Sequence, residues 1–157
     1  MSRLYTGGDF KCVHCQHVVS SAHLLSGVNN RNHCPYCLWS RHLDLYTAGD
    51  RLSACKAPMQ PLALTTKQRK NKYGQGRGEL MLVHQCSDCG VVSLNRIAAD
   101  DDAHTLLGIF NASLALPTRI RNLLLSNGIE ILPPEGLPQL QLQLFGSAAH
   151  IRLAEFA

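Results

Sequence analysis

Cys12-Val13-His14-Cys15 and Cys34-Pro35-Tyr36-Cys37 are the stretches whose reading decides how this chain folds. Each has two residues between its cysteines, and eighteen residues separate the pairs. Two intervening residues allow a tight turn that aims both sulfurs at one point while backbone amides face them. Two such turns predict a tetrahedral all-sulfur site at Cys12, Cys15, Cys34 and Cys37. Zinc suits that donor set, and an iron–sulfur cluster is the chemical alternative. The stretch between the pairs mixes Val18-Val19 with Ser, Gly and Asn, and reads as a short hairpin or loop rather than a long helix.

Further along, Cys86-Ser87-Asp88-Cys89 is a third turn of the same kind, followed by Gly90. No fourth pair matches it, and the one remaining cysteine is Cys55. A set of three thiolates needs one more ligand, for which histidine is the usual choice. His42, His84 and His33 are candidates. His84 stands only two residues before Cys86, a strained spacing for shared ligation. His42 lies on the linker between the two cysteine-bearing units and is favoured. The expected second zinc site is therefore Cys55, Cys86 and Cys89 with His42. The alternative is a buried Cys55 acting as a small hydrophobe beside a metal-free turn.

The 157 residues, 45% of them apolar, fit one domain or one compact unit with an appended lobe. No run of eighteen apolar residues predicts a membrane span. The first nine residues lack the apolar stretch of a signal peptide. The expected location is the cytoplasm, where thiols stay reduced and seven cysteines argue for metal rather than disulfides. Residues 1–107 carry twelve Lys/Arg against eight Asp/Glu, and residues 108–157 carry three of each. The basic excess therefore sits with the cysteines, as for a metal-bound part facing a polyanion.

The expected fold is small α+β: zinc-ribbon-like β-hairpin units with a C-terminal extension of helix and strand. Three segments are distinguished: 1–50 as the first zinc-binding unit, 51–107 as a second ribbon-like unit with a basic hairpin loop, and 108–157 as the extension. In the second unit, Leu62 to Thr66 and Leu80 to Val83 flank a Gly-rich turn, which predicts a hairpin. Val91, Val92, Leu94 and Ile97 supply a third strand. Asp100-Asp101-Asp102 before Ala103–Phe110 marks a helix start, since carboxylates favour that end. Thr118–Asn127 is a second helix, with Pro117 in its first turn and Gly128 as its stop. The prolines of 131–138 argue against helix there. Leu140, Leu142 and Leu144, alternating with glutamines, predict a strand.

Arg31-Asn32-His33-Cys34-Pro35 resembles the signature of the RNHCP domain family. The resemblance takes in Phe10, Cys12 and Cys15, then Cys37 to Asp44, Gly49-Asp50-Arg51, Cys55, Met59 and Pro61. It continues through His84-Gln85-Cys86, Cys89-Gly90 and Asn95 to Asp101, and covers roughly residues 10–107. Ala57 departs from the Gly more usual in the family. The resemblance implies a zinc-ribbon-like protein and leaves activity open.

Near the first site lie Arg31, Asn32, His33, Trp39, His42 and Asp44. One reading is a metal-dependent nuclease using His33 and His42. The preferred reading is support, with Asn32 and His33 donating to thiolates, Asp44 orienting His42, and Trp39 packing in the core. The segment Lys67 to Gly78 holds five cations, Tyr73, three glycines and no acid. Lys67, Arg69, Lys70, Lys72 and Arg77 could contact phosphates while Tyr73 stacks on a base. Arg41, Arg51 and Arg96 could extend the patch. The expected partner is RNA, with the ribosome as one candidate, since no helix offers base-reading residues for duplex DNA. A third reading is a protein-interaction adaptor working through the extension.

Overall fold

The computed structural model describes residues 9–67 and 78–146. It is a small α+β protein with two antiparallel sheets and several helices. Strands β1 (Phe10–Lys11) and β2 (Val18–Val19) pair across the first Cys turn. A single helical turn, α1 (His23–Ser26), follows. Strands β3 (Ser40–Arg41), β4 (Pro58–Lys67), β5 (Glu79–Cys86) and β6 (Val92–Arg96) form the larger sheet in sequence order. Then come α2 (Ala103–Ser113), α3 (Thr118–Ser126), a 3-10 turn at Pro134–Gly136 and α4 (Leu137–Phe145).

The expected hairpin is β4–β5, paired from Met59 opposite Cys86 to Lys67 opposite Glu79. Alternation in β4 is interrupted by a register shift at Leu62. A bulge gives one strand an extra residue, so neighbouring side chains can share a face. Leu62 and Ala63 accordingly pack together with Val83, Leu124 and Ile129, while Leu64 and Leu82 join Leu38, Leu106, Phe110 and Leu140. The sheet is thus covered on both faces, which explains the unbroken buried run Leu62 to Thr65. Helices α2 and α4 close one face, and α3 closes the other. Ile131 bridges to Thr65, and the Leu132 amide donates to the Leu64 carbonyl at 2.8 Å, so chain 131–132 fills the part of β4's edge that β3 leaves open.

One expected element is corrected. Residues 137–145 form helix α4, not a strand. Leu137, Leu140 and Leu144 pack into the first cluster at helical spacing, whereas Leu142 is exposed. Pro138 is tolerated because it falls in the first turn, where no intrahelical donor is lost. Gly146, at φ +79°, ends the helix by donating to Leu142. No helix among the described residues is long and apolar enough to cross a membrane.

Candidate metal centres

The first centre is built by two turns with the same hydrogen bonds. In one, Cys12 N donates to His17 O and Gln16 N to Cys12 O; in the other, Cys34 N donates to Trp39 O and Leu38 N to Cys34 O. The residue after each second cysteine, Gln16 or Leu38, takes a positive φ of 68° or 65°. That kink turns the loop so the two sulfurs converge. The amides of His14 and Cys15 point at Cys12 Sγ, and that of Tyr36 at Cys34 Sγ, all at 3.4 Å. Across the centre, Cys12 and Cys37 sulfurs lie 3.5 Å apart and those of Cys15 and Cys34 3.6 Å apart. The turns interlock through their rings: His14 stacks on Trp39 at 4.2 Å, and His17 meets Tyr36 at 4.7 Å. Trp39 therefore packs against the other turn, and His14 and His17 are the partners that sequence reasoning missed. Their equivalent offsets, two and five residues after each leading cysteine, were the available signal.

The second centre brings His42, Cys55, Cys86 and Cys89 together, with ligand atoms within 4.8 Å of one another, as in the first. Cys86 and Cys89 sit on a turn of the same design: Cys86 N donates to Val91 O, Gly90 N donates to Cys86 O, and Gly90 has φ +76°. The fourth turn is split. His42 N donates to Ala57 O, Lys56 N donates to His42 O, and Lys56 has φ +54°. His42 thus occupies the leading-cysteine position and Cys55 the trailing one, with residues 43–54 inserted where the other turns have two residues. His42 Nδ1 stands 3.4 Å from Cys89 Sγ, and the sulfurs of Cys55 and Cys86 are 3.6 Å apart. His84 is elsewhere, fully buried, and His33 faces an aspartate, so neither joins this set.

A tetrahedral ion with bonds of about 2.3 Å to sulfur sets its ligands roughly 3.8 Å apart. The spacings in both centres match one ion, and a multi-iron cluster would hold its thiolates farther apart. Both donor sets are compatible with zinc. The thiols are electrostatically uneven without it. Burial pushes Cys34 up to about 11, and burial also raises Cys37. Burial opposes the Cys12 thiolate as well, yet the amides of Cys15 and His14 hold it below the ordinary thiol value. Likewise burial opposes Cys86, while the amides of Cys89 and Asp88 bring it to about 6. A metal entering either centre must therefore displace protons.

The stretch from Arg31 to Pro35 ties these centres to the rest of the molecule by alternation. Arg31, His33 and Pro35 all turn toward residues 98–102. Arg31 grips Asp100 at 2.8 and 2.7 Å, His33 Nε2 donates to Asp101 at 2.7 Å, and Pro35 O accepts from Asp102 N at 2.9 Å. Asn32 turns the other way, to Asp44 at 2.9 Å and to Arg51. Three expectations change accordingly. Asn32 and His33 do not face thiolates, and Asp44 holds Asn32 and the Arg51 amide rather than His42. His84 Nε2 donates to the Leu38 carbonyl at 2.7 Å and accepts from Asn95 at Nδ1, so it anchors the second Cys turn to β5. Burial holds its pKa down at about 3, which keeps it neutral for that role.

Among the expected nucleic-acid contacts, Lys67 is exposed at the end of β4. Arg69, Lys70, Lys72, Tyr73 and Arg77 lie outside the described residues. Arg41 is exposed, whereas Arg51 contacts Asp44 at 3.7 Å and Arg96 pairs with Glu79 at 2.7 Å.

These features define a class: a zinc-ribbon-like protein with two four-residue clusters compatible with zinc, one all cysteine and one with a histidine. A family model, the RNHCP domain, matches residues 7–107, and the chain belongs to that family. No curated protein and no solved structure shows significant similarity to it.

Proposed function

We propose that this is a structural-zinc protein of a reducing compartment, the cytoplasm, that binds RNA through the basic β4–β5 tip, with the ribosome as the candidate assembly. The observation that carries the reading is the position of the second centre. Cys86 ends β5 opposite Met59, while Lys67 and Glu79 close the far end of the same two strands. One ion would then clamp the base of the hairpin, about 25 Å from the tip at the usual rise per residue. The sequence that joins these two ends, Lys67 to Gly78, carries five cations and no acid. Such a run favours phosphate contacts by counterion release.

The other readings lack support of this kind. His33 is bonded to Asp101, and His42 turns Nδ1 to the thiolates of the second centre, which suits a ligand rather than a catalytic base. The extension turns Phe110, Leu124 and Leu140 onto the sheet of β3 to β6 rather than outward. The test is RNA binding and ribosome sedimentation in a salt series, with Lys67, Arg69, Lys70 and Lys72 replaced together by alanine. Wild-type protein should bind at low salt, and the variant should show a slope in log K against log salt smaller by about 0.7 for each phosphate it no longer neutralises. A wild-type protein that stays unbound at low salt contradicts the proposal.

A further inference from the structure

The loop inserted in the split turn, residues 43–54, does more than join two ligands. Asp50 gathers four of its amides, those of Leu45, Tyr46, Thr47 and Leu52, at 2.8 to 3.0 Å. Gly49, at φ +86°, lies so close to Asn30 that a Cβ there would sit 2.5 Å from its side chain. The loop is therefore held in one shape and docked on the segment that joins the two turns of the first centre. Between this loop and the face of the sheet bearing Met59 and Asn95 lies a cleft of about 250 Å³.

The cleft contains available hydrogen-bonding groups on buried residues. Ser40 is 3% exposed and His42 7%. Both line the cleft. Ser40 Oγ makes no hydrogen bond among the described residues. His42 engages the second centre through Nδ1, leaving Nε2 without a partner there. No buried side-chain nitrogen or oxygen of the described residues is both sealed and unpaired, so these two atoms keep some exposure, on residues that line the cleft. A metal held at Nδ1 would leave Nε2 as the ring nitrogen that donates into the cleft. Asn95 directs its Nδ2 to His84 and Ser93, which leaves Oδ1 as an acceptor. Met59 supplies apolar wall, and Tyr46, 81% exposed, stands at the rim on a loop backbone that Asp50 fixes.

We infer that this cleft binds a single nucleobase, reading its edge with His42 Nε2, Ser40 Oγ and Asn95 Oδ1 while Tyr46 stacks on its face. A donor beside an acceptor on a small, partly apolar, rigid site is the complement of a base edge. The volume lies below the roughly 300–1,000 Å³ of drug-sized sites, which leaves room for one planar ring system. The inference rests on the RNA reading for the source of the base, but not for the site itself. It also gives the second centre a role in recognition, because the metal would fix which nitrogen of His42 donates.

The test uses the zinc-loaded full chain and uncharged nucleosides, which do not draw on the basic tip, with ribose as the control. In amide NMR titrations, the Asn95 side chain and the Ser40 and Tyr46 backbone signals should shift and saturate with a nucleoside and not with ribose. Tyr46→Ala should weaken binding about fivefold or more, the scale of one missing stacking partner. Since that side chain is exposed, folding should be unchanged. Ser40→Ala should weaken binding and alter preference among the four bases. Shifts that fail to saturate, or both variants titrating like wild type, overturn the inference. If the nucleoside saturates the cleft but RNA binds no more tightly, the cleft stands with a free base or nucleotide as its ligand, and the RNA proposal fails. If RNA binds and Tyr46→Ala and Ser40→Ala are silent, the RNA proposal stands and the cleft fails.

Discussion

At the scale of single residues, Arg31 carries the largest electrostatic burden. Its side chain is 1% exposed, and it meets Asp100 at 2.7 Å and Asp101 at 3.5 Å, with the Asp101 side chain fully buried. Removing one partner of a buried pair strands the other charge, so Arg31→Met should cost about 3–5 kcal/mol in denaturant unfolding. Arg31→Lys should not rescue it, because an ammonium cannot make the bidentate contact to Asp100. The sequence displayed Arg31 and the three aspartates but not their pairing, since some seventy positions separate them. Reading all three acids as helix-end charges was right for one: Asp102 alone caps α2, while Asp100 and Asp101 serve Arg31 and His33.

At the scale of elements, Asp102 accepts from Thr105 N at 2.8 Å and from the Thr105 hydroxyl, and those bonds hold its carboxyl below the usual pKa. A depressed carboxyl contributes stability above its unfolded pKa, near 4, and loses it as pH falls through the folded value. Asp102→Ala should therefore cost about 1 kcal/mol at neutral pH, with the difference from wild type fading in acid denaturation curves below about pH 4. The four turns give two further tests. Gln16 holds φ +68° without being glycine. Gln16→Gly should raise stability by about 1 kcal/mol, read as a higher midpoint in denaturant, because glycine enters that region freely. His42→Ala should lower zinc from two equivalents per chain to one by elemental analysis, and His42→Cys should restore two. The C-x-x-C spacing made three turns legible in the sequence. The fourth was hidden because residues 43–54 part its ligands, and only the matching bonds of His42 and Lys56 reveal it.

At the scale of the whole molecule, the family region and the extension share one core. The match ends at residue 107, within α2, yet Phe110, Leu124 and Leu140 beyond it are each 1% exposed. Phe110→Ala should cost about 3–5 kcal/mol in thermal or denaturant unfolding. The sequence by itself determined the local chemistry: which cysteines form turns, where the β4–β5 hairpin, β6 and the first two long helices run, and the family. Those signals are carried by neighbours within a few residues, where spacing and propensity act directly. Only the tertiary structure decided that Leu140 lies on a helix, that both faces of the sheet are covered, that His42 rather than His84 completes the second centre, and that Arg31 reaches Asp100. Each of these depends on which distant surfaces meet, and the burial that selects among them has no representation in the order of residues.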